Sequence, residues 1–403
     1  MNQPLLKESP HSGEVKEKIW TKDFILICLA NFFIFLGFQM TLPTIPLFVE
    51  SLGGNDQLIG FVVGIFTFSA LLIRPYVGHA LETKGRAFVY LTGLTIFVLT
   101  VGSFGFAASI FFLFALRVLQ GLGWGFSTTA SGTIATDLIP ASRRGEGMGY
   151  YGLSGNLALA FGPSLGLILS GVLSFMQLFL ISAGLGLMAL LLSSRIKFKK
   201  IEAKPNKTKA AVKLDLYEKS ALQPSFLLFF MTVTFGGIAS FLPLYTAQKH
   251  VSGIQWYFLF YAAALMVTRT FAGKLYDKRG HKAVFIPGAL LILVAMLLLA
   301  WLPNNPVLFT AGVLYGLGFG SVQPALQAWS IESSAPNRRG MATATFFSFF
   351  DLGIGVGAMV FGQIGHQLGY RSIYITAACS VGFSILYYLY LLSKNKGTAK
   401  ARS

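Results

Sequence analysis

The chain has 403 residues, 54% of them hydrophobic and only 12% charged, with 38 Phe and 44 Gly. A soluble globule carries about 25% charged residues, so the composition excludes a soluble enzyme or binding module and calls for a polytopic membrane protein. The net charge of +17 invites a nucleic-acid partner, but the cations fall in alternate connectors rather than in one patch, which excludes that reading.

Residues 1–22 read as a polar tail. Twelve apolar spans follow, at about 24–49, 57–80, 87–107, 109–135, 146–173, 175–194, 221–246, 254–275, 283–302, 306–330, 341–367 and 369–393. A helix needs about 20 residues to cross a hydrocarbon core, and lipid offers no partner to an exposed backbone, so the spans are helices. The first apolar run, from Phe24 to Val49, is too long for the core of a cleavable signal peptide. The expected fold class is an all-α membrane protein of twelve transmembrane helices in two six-helix bundles, 23–194 and 221–393. A linker at 195–220 joins them and a tail at 394–403 follows.

Of the 32 Lys and Arg, 27 lie in the two tails, the linker and every second connector. The other connectors hold Lys249 and Arg371; Arg74, Arg117 and Arg269 lie inside spans. The positive-inside rule then puts both termini and the linker in the cytoplasm of a multi-pass cell-membrane protein, with its basic face toward anionic lipid. The partners expected are the lipid bilayer and a small-molecule substrate, with no nucleic acid, in a monomer.

Cys28 and Cys379 read as inert core thiols, and the five His show no metal-ligand spacing. No GxxxxGK[ST] loop is present, so ATP hydrolysis of the P-loop type is excluded. The run Gly353-Ile354-Gly355-Val356-Gly357 lies inside a span with no strand before it, and close helix packing explains it better than a dinucleotide loop. No catalytic, metal or cofactor constellation appears.

The chain is also a tandem repeat. Arg74, Gly78, Glu82 and Gly85 recur as Arg269, Gly273, Asp277 and Gly280, each 195 positions on. At the same offset Gly121, Gly123 and Gly125 return as Gly316, Gly318 and Gly320, Asp137 as Glu332, Arg143-Arg144-Gly145 as Arg338-Arg339-Gly340, and Asn156 as Asp351. Duplication on this scale sets the architecture. Two homologous six-span halves, a basic linker and RPYVGHALETKGR between spans two and three resemble the major facilitator superfamily of secondary transporters, over about residues 20 to 395. In that family's loop pattern Gly78, Gly85 and Arg86 match, Glu82 replaces the Asp, and His79, Ala80, Thr83 and Ala87 depart. The second copy keeps Gly273, Leu275, Asp277, Gly280 and Lys282 and matches better. The resemblance implies a charge clamp that breaks when the halves rock; the bland account is a topology signal alone.

In span four, Leu113, Arg117, Gln120, Gly121 and Gly123 resemble a pattern of proton-coupled members, which implies a role for Arg117 near proton transfer. An always-charged guanidinium would tune a nearby acid rather than carry the proton; the alternative is a structural Arg bonded to carbonyls. In span five, Ala158, Gly162, Pro163 and Gly166 resemble the antiporter pattern, although Ala158 and Leu167 depart from it. Pro163 permits a bend and the glycines close packing.

Asp351 is the only carboxylate deep in a span. It lies eleven residues past Gly340, about 16 Å of helix, where desolvation favours proton uptake; the alternative is a structural carboxyl, neutral or paired. The family fold implies a cavity lined by spans one, four, seven and ten. The candidates are Asn31 and Gln39 on one helix face, Gln120 and Trp124, and Tyr315, Gln323 and Gln327, with aromatic surface from Phe32, Phe35 and Phe38; each is also a candidate for helix packing. Glu50, Glu146 and Glu332 read as span-end charges. The expected function is a proton-coupled exporter of small, partly apolar molecules, with the proton gradient in place of any cofactor. An importer of a sugar or other metabolite is the alternative within the class, and a transporter-like sensor the alternative outside it.

Overall fold

A computed structural model of the protein describes residues 18–140, 143–198, 217–335 and 338–400, the side chains of 82, 144, 145, 270, 339, 340 and 395–400 excepted. The polar tail up to residue 17 and most of the linker, 199–216, lie outside the described residues. Among the described residues there is no strand. The helices are α1 (Lys22–Thr41), α2 (Thr44–Ser51), α3 (Asp56–Thr83), α4 (Arg86–Ser103), α5 (Ile110–Leu138), α6 (Arg144–Ser170), α7 (Phe175–Ser193), α8 (Leu222–Gln248), α9 (Ile254–Ala300), α10 (Asn305–Glu332), α11 (Arg339–Leu368) and α12 (Tyr370–Lys400).

Local chemistry sets most starts. The side chains of Thr21, Asn55, Ser109 and Asn304 each accept from a backbone N–H of the first turn, and Ser174 with Gln177 forms a reciprocal capping box. Span one differs from the sequence reading. Span one, expected as one run, divides into α1 and α2 at Leu42-Pro43, because Pro43 has no N–H to continue the ladder. Spans eight and nine, expected as separate helices, both lie within α9, whose 47 residues are broken at Gly280 into two helical arms. At 1.5 Å per residue α9 would reach about 70 Å, more than twice the hydrocarbon thickness of about 30 Å. It holds two spans and folds at Gly280, where φ 70° and ψ 179° are open only to glycine. Gly85, its repeat partner, turns the chain between α3 and α4 at φ 94°.

The duplication is as exact in space as in sequence. A Cβ on Gly121 would lie 2.3 Å from the Phe66 carbonyl oxygen, and one on Gly316 would lie 2.3 Å from that of Tyr261. One on Gly93 would stand 2.9 Å from the Gly123 oxygen, and one on Gly288 would stand 3.1 Å from that of Gly318. Each half is thus held by helix backbones in direct contact, which only the missing side chain permits.

The halves meet chiefly along α3 against α11 and α6 against α9. Cβ atoms on Gly60 and Gly362 would each lie 2.5 Å from a carbonyl oxygen across that first seam, those of Ala358 and Asp56. Gly353 and Gly357 press on α8 and Gly355 on Thr67 of α3, so the glycine run is a packing device, as its sequence context implied. One end of the bundle carries Lys84, Arg86, Arg143, Arg195, Lys219 and Lys278, and is called here the basic end. At the opposite end Tyr370 donates to Asp56 at 2.8 Å, Gln57 to Gln363 at 2.7 Å and Ser164 to the Gln255 carbonyl at 3.1 Å. Among the described residues no hydrogen bond crosses between halves nearer the basic end than Arg74 to Asp351. Gly78 and Gly273, toward the basic end, have no neighbour within 4 Å of a Cβ. Among the described residues the halves are tied at the opposite end, and no hydrogen bond ties them at the basic end.

Candidate functional site

Asp351 is not alone at mid-depth. The Nη2 of Arg74 on α3 donates to its Oδ2 at 2.5 Å, joining the two halves. The two side chains keep 20% and 25% of their surface exposed, so the pair is lined by protein yet not sealed. Losing one member of a buried pair costs about 3–5 kcal/mol, and the part exposure here lowers that figure. The sequence marked Arg74 as a span cation without giving it this role.

Arg117 sits elsewhere. Its Nε donates to the Val62 carbonyl at 3.0 Å and Nη1 to Gln120 Oε1 at 2.5 Å, and its guanidinium lies 4.5 Å from the Phe66 ring centre. Among the described residues no carboxylate pairs with it, which corrects the expectation of a nearby acid; Nη2 is buried without a partner. Gln120 is taken up by this contact.

The other cavity candidates divide. Asn31 and Gln39 do share a face, but it is the face packed on α6: Asn31 donates to Ser154 at 2.9 Å and accepts from Tyr151 at 2.9 Å, and a Cβ on Gly162 would meet Gln39 at 2.4 Å. Asn31 is therefore a helix-to-helix tie. Gln39 keeps a buried Oε1 without a partner. Trp124 stacks on Phe38 with centroids 4.2 Å apart and lies 4.8 Å from Phe35. Tyr315 bonds Thr234 at 3.0 Å and stacks on Phe319. Gln323 accepts from Arg269 at 3.1 Å and donates to Gln327 at 3.3 Å.

At the basic end, Arg86 joins Asp137 at 3.0 Å and donates to the Leu81 carbonyl at 3.0 Å. This clamp ties α4 to α5 inside one half. The side chain of Glu82 lies outside the described residues. In the second copy Asp277 is exposed and joins no ion pair among the described residues, and Glu332 accepts from Tyr276 at 2.7 Å. Gly85 and Gly280 make the turns; Gly78 and Gly273 lie within helices and make none. Pro163 lies inside α6, where Gly162 and Gly166 admit α1: a Cβ on Gly166 would lie 2.2 Å from the Met40 carbonyl oxygen. Glu146 pairs with Arg143 at 2.8 Å, and Glu218 with Arg338. That guanidinium, with the Ser220 hydroxyl, holds the Glu218 carboxyl below its usual range.

A duplicated bundle, its halves tied at one end and joined at mid-depth by a charged pair, defines a membrane transporter rather than an enzyme. The Major Facilitator Superfamily model matches residues 27–264 and 224–403, and the chain belongs to that family. It is similar to the multidrug resistance protein MdtG of Escherichia fergusonii, 26% identical over 91% of this chain and 94% of that one. It is likewise similar to the multi-drug resistance efflux pump PmrA of Streptococcus pneumoniae, 25% identical over 92% and 96%. Among solved structures it resembles a mutant form of the nucleoside transporter NupG, with a TM-score of 0.76 at 15% identity over 91% and 99% of the two chains. A bacterial homolog of the human lysosomal transporter Spinster, inward-facing and unoccupied, gives 0.73 at 16% identity over 91% and 95%.

Proposed function

We propose that the chain is a proton-driven exporter of small, partly apolar molecules that works by alternating access, with both termini and the basic end in the cytoplasm of a cell-membrane protein. The observation that carries this reading is the Arg74–Asp351 pair. It joins the halves at mid-depth, so its state and the position of the halves are coupled. Protonation of Asp351 removes one charge and with it an attraction on the order of 4 kcal/mol at an effective dielectric of 20. The halves are then free to part along α3 and α11. Proton release restores the pair and closes that seam again. One charge crossing 100 mV supplies about 2.3 kcal/mol, enough for a roughly 50-fold gradient of cargo at 1.4 kcal/mol per tenfold.

Export is favoured over import by the names of the relatives MdtG and PmrA and by the Gly162-Pro163 pattern in α6. The proton gradient stands in place of a cofactor, and the working unit is a monomer. Arg117 serves this reading as a fixed structural charge, and the glycine-turned loops at Gly85 and Gly280 as the flexible ends of rocking halves. The test is transport in vesicles with an imposed pH gradient. Asp351→Asn should abolish uphill accumulation while leaving cargo binding and downhill exchange; an Asp351→Asn protein that still concentrates cargo would remove Asp351 from the coupling role.

A further inference from the structure

Four residues share one depth. Arg74 precedes Gly85 by eleven positions and Arg269 precedes Gly280 by eleven; Asp351 follows Gly340 by eleven and Asn156 follows Gly145 by eleven. Each lies about 16 Å along its helix from the basic end. The repeat carries Arg74 onto Arg269, Asp351 onto Asn156, and the α3–α11 seam onto the α9–α6 seam. In the first seam the guanidinium meets a carboxylate. In the second, the matching position offers an amide, which has no charge to give.

Arg269 accordingly lacks a counter-ion among the described residues. Its one hydrogen bond there runs from Nη2 to Gln323 Oε1, and no carboxylate lies within 4.0 Å. Its Nε is buried and has no partner. An Arg at this depth keeps its charge, and a charge placed there in a membrane protein marks a substrate path or a partner. Gln323 is in turn held by Gln327 at 3.3 Å, which fixes the guanidinium plane. Aromatic rings lie on α10, which packs against α9: Phe319 stacks on Tyr315 and meets Phe350 of α11.

We propose that Arg269, positioned by Gln323, is an anion subsite of the cargo cavity and that the cargo is an aromatic or similarly apolar molecule bearing one negative charge of the carboxylate kind. The inference rests on the transporter reading above and narrows its substrate class. One charge is specified because Arg74 is already matched by Asp351, which leaves a single unmatched guanidinium in the ring of four. A planar carboxylate suits the donor fork of an arginine.

The experiment measures binding of three matched probes, 2-naphthoate, 2-naphthamide and 2-naphthylmethylammonium, to the full chain in nanodiscs with no pH gradient. Naphthoate should bind at least tenfold more tightly than the other two. Arg269→Gln should bring the three affinities within about threefold of one another, and Arg269→Lys should keep part of the preference. Asn156→Asp places a carboxylate where the repeat expects one, so it should also abolish the preference while the thermal unfolding temperature stays level or rises; this arm holds even if Arg269→Gln fails to fold. Naphthoate binding no tighter than naphthamide, no binding of any probe, or a preference that survives both substitutions would overturn the proposal. Because binding is read without a gradient, absent proton-driven export alongside a clear naphthoate preference would strike the exporter reading and leave this one standing.

Discussion

Arg74 and Asp351 stand 277 positions apart in the chain, on different halves, and their side chains meet at 2.5 Å. If they act as a pair, the charges are interchangeable as a unit. Arg74→Asp alone should put two carboxylates in contact and lose transport more than tenfold. The double exchange Arg74→Asp with Asp351→Arg should recover folding and part of the transport. A double variant no better than the worse single would show that each charge serves a separate partner.

Glycines at two kinds of position predict opposite failures. Gly93 and Gly288 hold helices together inside each half, so Gly288→Leu should cost at least the 1–3 kcal/mol of overpacking and lower the yield of folded protein. Gly78 has room for a side chain in the present arrangement. Gly78→Leu should therefore fold and insert normally yet slow transport about tenfold or more, because the basic end must close in the other facing state. Gel-filtration yield read beside transport rate separates the two; equal yields would remove the distinction.

The cation distribution predicts a topology. Reporters fused near Lys204, which lies in the linker outside the described residues, should behave as cytoplasmic, and one near Lys249 as external. Both on one side would break the twelve-span order.

The Glu218–Arg338 pair gives a pH signature. Because the folded carboxyl is held below its usual value, of about 4.3 for an unperturbed Glu, its contribution to stability is fully present above that value. It is lost as pH falls through the lowered folded one. The difference in unfolding temperature between the unaltered protein and Glu218→Gln should be constant from pH 7 to about 5.5 and shrink in acid. A difference that grows in acid would reverse the assignment.

Spans, repeat and glycine packing were readable because each is written locally: an apolar run, a fixed offset, a small residue where a helix must approach. The breaks were less so. Pro43 interrupts span one, yet Pro163, Pro243 and Pro324 sit inside continuous helices, so a proline in a span does not by itself mark a break. The site was half readable. Asp351 stood out as an acid in an apolar span, but its partner lay in the other half, 277 positions away, and nothing local to either residue marked the pairing. Asn31 looked like a cavity residue until Ser154 and Tyr151, separated from it by more than a hundred positions, satisfied both ends of its amide.

The α3–α11 seam brings Gly60 of one half against Ala358 of the other with backbone nearly touching backbone. Its interlocking is confined to small notches, Met359 over Gly64 and Thr67 over Gly355, and the few hydrogen bonds at its ends act as latches that set the timing. Turnover should then respond more to substitutions at Asp56, Gln57, Gln363 and Tyr370 than to changes in side-chain bulk elsewhere along these helices, and fluorescence pairs across the opposite end should report opening in steps rather than a gradual drift.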